Sequence, residues 1–93
     1  MVKMDKWIEG NLMTIRAYLN SKFPGYTVTE HAFPNHYHQF TVTNRELQRK
    51  YGLTVDWSRL SDRKNTPQRL WSSLISGFVA SAMVRAGEEG LTF

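Results

Sequence analysis

The chain has 93 residues, 41% of them hydrophobic and 22% charged, with a formal net charge of +4. This is the length of a single domain, residues 1–93, too short for a multidomain enzyme and too apolar for intrinsic disorder, with a core thin enough that each large apolar side chain matters. No cysteine is present, which excludes disulfide scaffolds, thiolate zinc sites, iron–sulfur clusters and thiol catalysis.

The first predicted element is a helix from Asp5 to about Ser21. Ile8, Leu12, Ile15 and Leu19 recur at helical spacing, and Phe23-Pro24-Gly25 stops it because proline cannot continue the ladder. Two strands follow, Tyr26–Ala32 and His36–Thr43, joined by Phe33-Pro34-Asn35. Thr43-Asn44-Arg45-Glu46 has the form of a capping box closed by Gly52, which fits one or two helical turns or a long hairpin loop. A third strand is expected at Leu53–Trp57, where Leu53, Val55 and Trp57 alternate with polar residues.

Thr66 and Pro67 then read as the cap and first residue of a last helix that Gly87 ends. Leu70, Trp71, Leu74, Ile75, Phe78, Val79, Ala82 and Met83 form its wide apolar stripe. Its other face carries Ser72, Ser73, Ser76, Gly77, Ala80 and Ser81, with no charge between Arg69 and Arg85. A solvated helix face normally carries Lys or Glu, so this one suits the close approach of a second copy or another protein. The fold class expected is α+β: an α-β-β-β-α order, with a three-stranded antiparallel sheet and both helices packed on one face.

Charge is unevenly distributed. Residues 45–69 hold Arg45, Arg49, Lys50, Arg59, Arg63, Lys64 and Arg69 against Glu46, Asp56 and Asp62, a net of +4, while the flanking parts nearly balance. Two readings fit: the footprint of a polyanion binder, or solubilising charges on exposed turns.

His31, His36 and His38 cluster around the first hairpin, and strand register decides whether they converge. Pairing His31 with His36 would split Tyr26, Val28, Phe40 and Val42 between the two sheet faces, which a half-buried strand pair avoids. Paired positions summing to an even number, such as 68 or 66, keep those four together, put Glu30, His36 and His38 on their face and turn His31 away. A three-histidine metal site is therefore not expected. No spacing ties a nucleophile to a base, and the six glycines are scattered singly, so neither enzymatic activity nor a cofactor is expected. Met1 to Leu12 carry Lys3, Asp5, Lys6 and Glu9 rather than an apolar signal, and the uncharged run Leu70–Val84 is broken by serines. A cytoplasmic protein with no membrane segment is the expectation.

Tyr26 followed by Glu30, then Pro34-Asn35-His36 and Phe40-Thr41-Val42, resembles the first half of a double-stranded-RNA-binding domain, which has the same α-β-β-β-α order. The resemblance covers about residues 26–42. Phe33 stands where that family has glycine, and Ser61-Asp62-Arg63-Lys64-Asn65-Thr66-Pro67 replaces its Ser-Lys-Lys-x-Ala-Lys signature. It implies that His36 enters a minor groove, while Arg63, Lys64 and Arg69 span phosphates of the adjoining major groove.

The functional expectation is a non-enzymatic domain that binds duplex RNA or DNA. Arg45, Arg49, Lys50, Arg59, Arg63, Lys64 and Arg69 would neutralise phosphate, and Asn35 and His36 would touch sugar or base edges. The amides that open the last helix would add a phosphate contact. The competing expectation is a protein-interaction module (a homodimer, a phage or mobile-element type inhibitor or adaptor, or a subunit of a complex) acting through Ser72, Ser73, Ser76, Gly77 and Ala80.

Overall fold

The computed structural model describes residues 6–93. Helix α1 (Lys6–Lys22) leads into strands β1 (Thr27–Phe33), β2 (Tyr37–Asn44) and β3 (Arg49–Asp56). Three helices follow, α2 (Trp57–Ser61), α3 (Pro67–Ser76) and α4 (Val79–Ala86), and then a 3-10 turn at Gly87–Glu89 and a short strand β4 (Leu91–Thr92). The chain is α+β with four strands in the order β1-β2-β3-β4. The expected start of the first helix at Asp5 lies outside the described residues.

Successive residues of a strand point to opposite faces, and here one face is apolar. Phe40, Val42, Tyr51, Leu53 and Val55 are buried on it beneath Ile15 and Leu19 of α1, Leu60 of α2, Leu70 and Leu74 of α3, and Val79 and Met83 of α4. The opposite face carries Thr27, Thr29, His31, Gln39 and Lys50, all exposed. In the first hairpin Val28 pairs with Val42 and Glu30 with Phe40. The paired positions sum to 70, so the parity read from the apolar residues is right but the register lies two residues beyond the values considered. His36 consequently leaves the strand and enters the turn.

Four further features differ from the sequence reading. First, β3 begins at Arg49 rather than Leu53, and of the two forms open to this segment the chain takes the hairpin, shortened to a tight turn at residues 45–48. Asn44 Oδ1 accepts the Leu47 amide at 3.0 Å, the Gln48 amide donates to Arg45 O at 3.2 Å, and Gln48 adopts φ 53. Second, Trp57 opens a helix instead of ending a strand, because Asp56 caps it by accepting the Ser58 amide at 3.1 Å.

Third, the last helix is two helices. Phe78 sits in the left-handed region, φ 49 and ψ 46, and the axis changes there. The break has a packing reason: α3 lies on α1, whereas α4 turns back onto β3, which lets Val79 and Met83 reach the core. Gly77 is held close, and a Cβ there would lie 2.9 Å from Ser73 O. Fourth, β4 adds a parallel strand on β3, pairing Leu91 with Leu53, so the sheet is mixed rather than three-stranded antiparallel. Among the described residues no helix is long and apolar enough to cross a membrane.

Candidate nucleic-acid interface

Phe33, Pro34, Asn35 and His36 make the first hairpin turn, closed by the His36 amide donating to Phe33 O at 2.9 Å. Proline at the second position and Asn35 at φ 67 at the third are the arrangement of a type II turn. This leaves both Asn35 and His36 side chains exposed. His36 O in turn accepts the Trp57 amide at 3.0 Å, which ties the hairpin tip to the start of α2.

The segment after α2 folds against the same end of the molecule. Asn11, fully buried on α1, donates to Leu60 O at 2.9 Å, and Trp7 Nε1 donates to Asp62 O at 3.1 Å. Two of the cations are placed on aromatic rings: the Arg59 guanidinium lies 4.2 Å from the centre of Phe93, and that of Arg63 lies 5.1 Å from Trp7. Arg69 Nη1 donates to Lys64 O at 3.4 Å, and the Lys64 amide donates to Asp62 Oδ1 at 2.9 Å. Arg63, Lys64 and Arg69 are exposed. Asn35, His36, Arg59, Arg63, Lys64 and Arg69 therefore share one end of the sheet.

Arg45, Arg49 and Lys50 do not join them. Asn44 pairs with Arg49, while Tyr37 pairs with Asp56, so the second turn and the first lie at opposite ends of β2. The eight residues of β2 separate the two ends by about 23 Å. Net charge does not distinguish them: Arg59, Arg63, Lys64 and Arg69 against Asp56 and Asp62 give +2, as do Arg45, Arg49 and Lys50 against Glu46. The start of α3 also offers less to a phosphate than its sequence suggests. Thr66 Oγ1 accepts the Arg69 amide at 3.2 Å, and Pro67 has no amide proton.

His38 and Glu30 do share the inner face, and they meet. His38 Nε2 lies 3.0 Å from Glu30 Oε1, and Arg16 grips both carboxylate oxygens, with Nη2 at 2.8 Å from Oε1 and Nε on Oε2. Hydrogen bonding from Arg16, assisted by His38, holds the Glu30 carboxyl below its ordinary range, and Glu30 in turn raises Arg16. Both Glu30 oxygens, which a metal ion would need, are thus engaged by the Arg16 guanidinium. Among the described residues no group of three or more His, Asp or Glu is disposed to hold a metal ion.

Ser72, Ser73, Ser76 and Gly77 are exposed, whereas Ala80 is not on their face. The turn at Phe78 rotates α4 so that Ala80 packs against the core and its amide donates to the Tyr18 hydroxyl at 3.0 Å. The larger omission from the sequence reading is apolar. Trp71, Ile75 and Phe78 are 36%, 46% and 69% exposed, although all three belong to the stripe expected to be buried. Eight apolar positions in fourteen are more than one helix face can cover: Leu70 and Leu74 take the inner line, and 71, 75 and 78 form the adjacent one.

The chain matches no family model, no curated protein sequence and no solved structure.

Proposed function

We propose that this domain binds a nucleic-acid duplex through the end that carries Asn35, His36, Arg59, Arg63, Lys64 and Arg69. The observation that carries the reading is the hydrogen bond from the Trp57 amide to His36 O, which joins a histidine-bearing hairpin turn to the cationic segment before α3. A phosphate backbone is a linear polyanion, and groups drawn from separate parts of the chain onto one end offer it several points of contact. The resemblance to double-stranded-RNA-binding domains supports the same placement, since it implies a hairpin histidine and a basic helix start on one side. Arg45, Arg49 and Lys50 fall outside this footprint.

Fluorescence anisotropy with equal-length duplex RNA, duplex DNA and single strands, at two salt concentrations, tests the proposal. Binding to a duplex is expected to weaken steeply with salt. Lys64→Ala should lower affinity about fivefold and reduce the salt slope by about 1, without changing sequence preference. Lys50→Ala should have little effect. Undetectable binding at low salt, or equal losses from Lys50→Ala and Lys64→Ala, would overturn the reading.

A further inference from the structure

Five of the seven exposed large apolar side chains, Met13, Trp71, Ile75, Phe78 and Val84, lie on the helical layer. Trp71 and Ile75 of α3 and Phe78 after it follow one another four and three residues apart, and Met13 of α1 is 57% exposed. Between the two helices runs a groove of about 650 Å³, walled by Met13, Thr14 and Ala17 on one side and Pro67, Trp71 and Ser72 on the other. One wall is held in place from beneath, where the buried Tyr18 ring meets Trp71 edge-on at 5.8 Å. Phe78 stands beyond the far end of α3, a bulky residue held in a left-handed conformation and 69% exposed. Such a conformation is uncommon outside glycine and asparagine, and it costs folding free energy that no contact of the Phe78 ring with the core returns.

We propose that this face pairs with a second copy of the chain about a two-fold axis, the Phe78 ring of each copy entering the α1–α3 groove of the other. Projection and recess occur on the same molecule, which is the condition for an isologous contact, where residue i meets j and j meets i. From Trp71 to Ser76, the last residue of α3, is about 8 Å, and Phe78 stands just beyond it. An antiparallel α3 pair therefore brings each Phe78 to the partner's groove and leaves Ile75 close to the axis, against its own counterpart. Ser72 and Ser76 are small enough to let the two helices approach.

Charge is compatible with this occupant. The net charge of +4 opposes self-association, but the segment from Leu70 to Val84 carries no charge, so two copies meeting there set no like charges side by side. The exposed parts of Met13, Trp71, Ile75 and Phe78 amount to roughly 400 Å² of apolar surface. With the serines and the groove walls around them, this approaches the roughly 800 Å² per partner of a standard interface. The pairing is independent of nucleic acid and stands or falls without it.

Sedimentation velocity on the full chain, without nucleic acid and across a micromolar concentration series, tests it. A species of twice the 10.8 kDa chain mass is expected. Phe78→Asn keeps a residue that tolerates the left-handed conformation, so circular dichroism and melting should show a fold at least as stable. Its dimer dissociation constant should nevertheless rise tenfold or more. Ile75→Glu, which sets two carboxylates together at the axis, should leave monomer only. A wild-type chain that stays monomeric at tens of micromolar would overturn the proposal. So would a dimer that survives both substitutions, or open-ended growth with concentration, which signals head-to-tail contact.

Discussion

The two ends of the sheet carry the same net charge and are built differently. At the first-hairpin end, cations come from a segment pinned from several directions: Asn11 holds Leu60 O, Trp7 holds Asp62 O, the hairpin holds Trp57, and aromatic rings seat Arg59 and Arg63. At the second-hairpin end, Arg45, Arg49 and Lys50 are exposed around a four-residue turn closed by its own backbone and by Asn44. Charges that are preorganised lose little entropy on meeting a ligand, whereas flexible ones must be ordered at that moment. The difference teaches that a run of basic residues is not a surface until the fold decides which of them stay together. Here a strand passes between Lys50 and Arg59 and separates them by its own length.

The comparison breaks most visibly at Leu60, whose side chain is fully buried and anchors α2 to the core. Leu60→Ala should cost about 3 kcal/mol in urea unfolding. If the first end is organised as described, nucleic-acid binding should fall further than global stability explains, under conditions where the variant is folded. A smaller effect, common to both ends, is expected at the contact midway along the hairpin. Glu30 has its carboxyl lowered by Arg16, so this pair stabilises the fold above the ordinary carboxyl value of 4.5, and the contribution is lost as pH falls through the lower folded value. Arg16 is 43% exposed and partly screened, so Glu30→Gln should cost only about 1 kcal/mol near neutral pH. The same substitution should flatten the acid limb of a stability-against-pH curve; an unchanged limb would show that the ion pair is not coupled to folding. The smallest effect is at Leu47 in the second turn, 57% exposed, where Leu47→Ser should change unfolding free energy by no more than about 0.5 kcal/mol. A larger loss would mean that this end is organised after all.

The parity of the first hairpin was legible because Tyr26, Val28, Phe40 and Val42 allow only one division between faces. The start of β3 was not, since Arg49 and Lys50 lie at the sheet's end, where charged residues resemble a loop. Asp56 was a readable helix cap, but the alternation of Leu53, Val55 and Trp57 carried the strand one residue past it. The clustering of Asn35 and His36 with Lys64 and Arg69 depends on α2 turning the chain back across the hairpin, a tertiary event that no local pattern encodes. The exposed line of Trp71, Ile75 and Phe78 had a signal in the excess width of the apolar stripe. The left-handed turn at Phe78 had none, because the residue beside it, Gly77, is the one that sequence rules would place there.

The two-residue strand β4 has a kinetic consequence. Each of the other strand pairs is closed by a short turn, whereas Leu91 must find Leu53 across three helices, so its loop-closure entropy is the largest in the sheet. Such a pairing forms late in folding and belongs to the segments that open at low free energy, before the hairpins and without them. The amide of Phe93, which donates to Thr54 O at 2.7 Å, should therefore exchange with solvent deuterium ahead of those in β2. Each such opening also carries the Phe93 ring away from Arg59, so the seating of that guanidinium lasts only as long as the strand stays closed.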